Sequence, residues 1–117
     1  RLENARNIQF RNFTVVWGEP AGPDWKQALS ADNVDGLVLD GFSAGQAPGK
    51  GDNPSITLNN TRRVRIQNCI AQPGTGTFLR IDGSESEKIV LLNNDLSEAQ
   101  SPTSVGKEVR KEAVTSY

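Results

Sequence analysis

The chain is 117 residues long, enough for one domain with a modest core, and its apolar fraction is 35%. Thirteen Lys and Arg oppose 14 Asp and Glu for a net charge of -1, a balance that argues against a dedicated nucleic-acid binder. A single Cys excludes an internal disulfide, and the lack of His excludes a His/Cys zinc site and any Ser-His-Asp or Cys-His relay.

Taken in chain order, the apolar residues fall into a recurring unit. Leu2 stands just ahead of Ile8-Gln9-Phe10-Arg11-Asn12-Phe13, and Phe13-Thr14-Val15 follows the turn. A long Pro/Gly loop with Trp17 and Trp25 leads to Leu29-Ser30-Ala31, then Leu37-Val38-Leu39-Asp40-Gly41-Phe42, then Phe42-Ser43-Ala44. A second Gly-rich loop, residues 45–51, precedes Ile56-Thr57-Leu58, Val64-Arg65-Ile66-Gln67-Asn68-Cys69 and Cys69-Ile70-Ala71. The last set is Leu79-Arg80-Ile81, Ile89-Val90-Leu91-Leu92-Asn93-Asn94 and Asn94-Asp95-Leu96. The middle segments start 29, 27 and 25 residues apart.

Alternation at period two makes each short segment a strand with one face inward. Strands this short need partners, and the same strand of the neighbouring coil supplies them at about 4.8 Å per rung. The period predicts an all-β parallel β-helix of about four coils over residues 1–97, with a polar capping segment over 98–117. A leucine-rich repeat lacks the matching frame, and an antiparallel sandwich is the remaining alternative. Within 98–117, Val105, Val109 and Val114 suit an irregular strand or a short helix.

After each middle strand stands Asn12, Gly41, Asn68 or Asn93. A tight bend there needs one residue at positive φ, which Gly and Asn adopt most cheaply, so these four are expected to stack as a ladder at one corner. Cys69 aligns with Phe13 and Phe42 and is expected to be a small buried residue.

The segments Asn33-Val34-Asp35-Gly36-Leu37-Val38-Leu39-Asp40-Gly41-Phe42 and Ile56-Thr57-Leu58-Asn59-Asn60-Thr61-Arg62-Arg63-Val64-Arg65-Ile66-Gln67-Asn68-Cys69 resemble the right-handed parallel β-helix of the pectin lyase-like superfamily. Within it they look most like the C-terminal rungs of polygalacturonase-like glycoside hydrolases, over residues 2–97. The resemblance implies a secreted or periplasmic protein acting on pectin or polygalacturonate. The family's Asn-Thr-Asp segment, paired aspartates, Gly-His-Gly turn and Arg-Ile-Lys segment are incomplete here, since Arg65-Ile66 is followed by Gln67 and His is absent. The expectation is a C-terminal fragment, inactive alone, of a parent glycoside hydrolase. The alternative is a non-catalytic carbohydrate-binding, adhesion or tailspike-like module.

Asp32 and Asp82 are the carboxylate candidates for catalysis. Two rungs apart, about 10 Å, they reach the upper edge of the spacing that inverting glycosidases use, but turn chemistry is the plainer account of both. Trp17 and Trp25 could stack on sugar rings or plug their loop. Arg62, Arg63, Arg65 and Arg80 could grip the carboxylates of an acidic glycan, with Arg65 and Arg80 facing outward. No metal or other cofactor is implied, and no membrane span. The partners expected are a polysaccharide and, against an open first coil around Leu2, Ile8 and Phe10, either missing preceding rungs or a second copy.

Overall fold

Val, Ile and Leu at alternate positions, punctuated by Asn and Gly that reverse the chain, leave each segment one way to bury its apolar side and pair its backbone. The computed structural model describes residues 1–16, 27–45 and 54–117. Its strands are β1 (Leu2–Glu3), β2 (Arg6–Arg11), β3 (Leu29–Asp32), β4 (Asp35–Asp40), β5 (Ser43–Ala44), β6 (Ile56–Asn59), β7 (Arg62–Gln67), β8 (Ile70–Ala71), β9 (Thr77–Asp82), β10 (Glu87–Leu92), β11 (Ser101–Val105) and β12 (Val114–Ser116). Every pairing between them is parallel. Sheet 1 runs β1-β3-β6-β9-β11, sheet 2 runs β12-β10-β7-β4-β2, and a short sheet 3 joins β5 to β8. The molecule is a parallel β-solenoid of about four turns.

Register follows the repeat. Ile8, Leu37, Val64, Ile89 and Val114 form one inward column of sheet 2, and Phe10, Leu39, Ile66, Leu91 and Ser116 the next. Leu37, Leu39, Val64, Ile66, Ile89 and Leu91 are all buried, as the alternation predicts. Each such side chain contributes roughly 1.5–3 kcal/mol relative to exposure. Sheet 1 adds Leu29, Ile56, Leu58, Leu79 and Ile81, and the third wall is lined by Phe42, Ala44, Cys69 and Ala71. Among the described residues, sheet 3 extends only by single bridges, Thr14 to Ser43 and Ile70 to Asp95. The fourth coil has Asn94 where the others place Phe or Cys. Its amide turns to the backbone, accepting from Cys69 N–H at 2.9 Å and donating to Ile66 O at 2.9 Å.

Residues 101–116 are themselves a rung. β11 continues sheet 1, a 3-10 turn spans Lys111–Ala113, and β12 continues sheet 2. Val109 and Ala113 turn inward and close that end of the core, whereas Val105 is 45% exposed. Ser101 N–H donates to Gly76 O at 2.8 Å. Because backbone groups alternate sides along a strand, the N–H that Pro102 lacks would have faced the open edge.

The bend column is as the sequence predicts: Asn12, Gly41, Asn68 and Asn93 all have φ between 53° and 72°. Two further left-handed columns were not anticipated. Asn4, Asn33, Asn60 and Gly83 turn the chain from sheet 1 to sheet 2, and Asn7, Gly36, Arg63 and Lys88 kink the start of the sheet 2 strands. Asn and Gly make such turns cheaply; at Arg63 and Lys88 the conformation costs about 1–2 kcal/mol each.

Candidate functional site

The outer face of sheet 1 carries the carboxylates that the sequence singles out. Glu3, Asp32, Asn59 and Asp82 occupy one register column. Asn59 therefore stands between Asp32 and Asp82, and its amide donates to Asp32 Oδ1 at 3.2 Å. Asp82 is gripped by Arg80 two residues earlier, Nε to Oδ2 at 2.9 Å and Nη2 to Oδ1 at 2.7 Å, while Arg80 Nη1 donates to Ser104 Oγ at 2.7 Å. Beside it, Gly83 N–H donates to Glu108 Oε1 at 3.0 Å and holds that carboxyl below the usual carboxylate range. Inverting glycoside hydrolysis needs one carboxyl free to donate a proton and one free to activate water. On this face both oxygens of Asp82 are already spent on a guanidinium.

Sheet 2 presents a different outer face. Arg6, Asp35, Arg62 and Glu87 stack in register, a column of alternating charge. The Arg63 side chain hydrogen-bonds Asp35, and with the nearby charges of Arg62 and Arg6 it holds the Asp35 carboxyl below its ordinary value. Along a second outer column, Arg11, Asp40, Gln67 and Leu92, the Asp40 carboxyl is held low chiefly by the amides of Asn68 at 3.2 Å and Gln67 at 3.1 Å, then by Arg11. Between these columns lies a third: Gln9, Val38, Arg65, Val90 and Thr115. Arg65 is exposed there, flanked by two half-buried valines, and has no hydrogen-bond or ion-pair partner among the described residues.

At the corner where sheet 1 passes into sheet 2, a shallow groove of about 230 Å3 is lined by Asn4, Ala5, Arg6, Asn33, Asp35 and Arg62. Its floor is a side-chain ladder. Arg62 Nη2 donates to Asn33 Oδ1 at 3.0 Å, and Asn33 Nδ2 donates to Asn4 Oδ1 at 2.8 Å. Arg62 Nη1 also caps the Asn60 carbonyl at 3.0 Å.

The structure thus divides the arginines grouped by the sequence. Arg80 belongs to sheet 1 and is neutralised by Asp82, whereas Arg62, Arg63 and Arg65 share sheet 2. The asparagine ladder at the second corner is partial: Asn93 Nδ2 donates to Asn68 Oδ1 at 2.8 Å, and Asn68 turns to Asp40 because Gly41 offers no side chain. Cys69 is buried, its Sγ 3.6 Å from Leu39 O, and burial raises its thiol pKa, which leaves it protonated and unreactive. Trp17 and Trp25 lie outside the described residues. Among the described residues no group of three His, Cys, Asp or Glu could hold a metal ion.

Two features escaped sequence reading, the Arg62-Asn33-Asn4 ladder and the alternating charge column. Both carry a legible signal, because Arg6, Asp35, Arg62 and Glu87 repeat at the same 29, 27 and 25 residue steps as the strands. Compared with family models, curated proteins and solved structures, the chain matches none.

Proposed function

We propose that this chain is a non-hydrolysing stretch of a polysaccharide-acting β-helix protein, and that it holds an acidic glycan along the outside of sheet 2. The observation that carries this reading is Arg65 between Val38 and Val90. A guanidinium with no partner among the described residues offers a bidentate grip on a uronate carboxylate, and the valines on either side suit the apolar C–H face of a sugar ring. The sequence resemblance to polygalacturonase-like enzymes supplies the glycan class, and the engaged state of Asp82 supports binding without turnover. The alternative is a purely structural solenoid segment. The mutual satisfaction of Arg80, Asp82 and Ser104 on sheet 1 favours it for that face.

Affinity electrophoresis in gels cast with polygalacturonate, beside a reducing-end assay, tests the proposal. Retarded migration, weakened several-fold by Arg65→Ala and unaccompanied by new reducing ends, is the expected outcome. Migration unaffected by the glycan would leave the structural reading. Turnover abolished by both Asp32→Asn and Asp82→Asn would show that sheet 1 is catalytic after all.

A further inference from the structure

Among the described residues, every position with positive φ is Asn or Gly except Arg63, at 54°, and Lys88, at 55°. Both are exposed and continue the column begun by Asn7 and Gly36 at the start of the sheet 2 strands. Asn or Gly makes this bend at lower cost, as the first two coils show, because a longer side chain crowds the following carbonyl oxygen there. A long cation held against its backbone preference points to a use outside the bend itself.

Arg63 has such a use within the fold. Its side chain hydrogen-bonds Asp35, the residue that Arg62 meets in register one coil back. For Lys88 the corresponding place is held by Arg62, which stands opposite Glu87. A cation is therefore found where Arg63 finds an acid, and Arg62 turns its own guanidinium to Asn60 O and Asn33 Oδ1. Lys88 has no hydrogen-bond or ion-pair partner among the described residues, and neither has Arg65. The two lie one strand over and two residues along, about 8 Å apart between backbones, so their long side chains reach neighbouring anionic groups of one extended chain. Asp35 and Asp40 occupy the two ends of β4, which turns an anion away from that strand and toward β7 and β10.

We infer that Lys88 and Arg65 form a two-point grip on adjacent carboxylates, so that the ligand of sheet 2 is an unbroken run of free uronates and not a glycan with isolated charges. The inference rests on the acidic-glycan reading of Arg65. It makes Lys88 a specificity residue whose strained backbone serves binding and not folding. One contact accepts any acidic sugar. Two at a fixed span select by the spacing of charge, because the second forms intramolecularly once the first is made.

The test is Lys88→Asn in the full chain, since Asn already occupies this column at Asn7. The variant should melt several degrees higher, because the bend is relieved, and its retardation in polygalacturonate gels should weaken several-fold. Lys107→Asn removes an exposed cation from the turn after β11 and should leave retardation unchanged, which controls for net charge. Each mobility is referred to a gel without glycan. In gels of polygalacturonate methyl-esterified at random, retardation of the unaltered chain should fall more steeply than the free-carboxylate content, since adjacent pairs vanish faster than single groups. That of Lys88→Asn should fall in proportion to it. Retardation lost in Arg65→Ala but kept in Lys88→Asn would overturn the two-point grip and leave the Arg65 reading standing, whereas retardation by neither polymer would overturn both. A lower melting temperature for Lys88→Asn would also overturn the grip, by showing that the lysine serves the fold.

Discussion

The first and third coils carry the same pattern and reach different states. In β7, Val64 and Ile66 are buried, with a strand on each side; in β2, Ile8 and Phe10 repeat the alternation and stay half-buried. The pattern decides which side chains face inward. How far they leave water is decided by neighbours, because a solenoid rung buries its apolar row against the rungs above and below.

The largest test of this contrast is truncation. Ile66→Ala should destabilise the chain by about 2–5 kcal/mol, because its neighbours on both sides cannot collapse into the cavity. Ile8→Ala should cost about 1 kcal/mol or less, since part of that side chain already faces solvent and less area is lost. Urea denaturation of the two variants measures the gap, and equal costs would show that the first coil is as enclosed as the third.

A smaller contrast concerns the turns. Gly83 and Gly74 both have positive φ, 93° and 85°. A Cβ on Gly83 would sit 2.7 Å from the Asn60 backbone nitrogen and closer still to its side chain, whereas one on Gly74 would meet nothing within 4 Å. Gly74→Ala should therefore cost only the left-handed penalty of about 1–2 kcal/mol, and Gly83→Ala clearly more. Thermal melts rank them, and a reversed order would mean that the stacked corner relaxes freely.

The smallest expected effect is electrostatic. Asp35 and Asp40 on β4 are both held low by their partners on β7 and beyond. A carboxyl with a lowered folded pKa stabilises the fold fully above its unfolded value, near 3.9, and that stability is lost as pH falls through the lowered value. Stability should thus decline below about pH 4, and Asp40→Asn should flatten part of the decline. Both carboxyls are exposed enough for salt to blunt the effect. Denaturation midpoints at pH 7, 4 and 3 would show it.

Strand identity, register and the bend at Asn12, Gly41, Asn68 and Asn93 were legible in the sequence because each rests on local rules: alternation at period two, and the low cost of positive φ for Asn and Gly. The sequence leaves the tail as a polar closing segment with an irregular strand or a short helix; that it stacks as a further rung depends on its polar strands pairing with β9 and β10. Arg63 and Lys88 were equally invisible as turn residues. Nothing local favours positive φ in a long basic side chain, and it is the stacking of their columns that holds them there.

The candidate site divides the same way. The sequence by itself determined that Asp32 and Asp82 fall two rungs apart in one column and that Arg65 and Arg80 point outward, because register converts spacing into position. Only the tertiary structure decided that Asp82 is spent on Arg80, that Asn59 stands between the two carboxylates, and that Arg65 lies between two valines without a partner among the described residues. Side-chain partnership depends on what the coils above and below bring within about 3 Å, a distance set by the stacking of separate rungs and by no single segment.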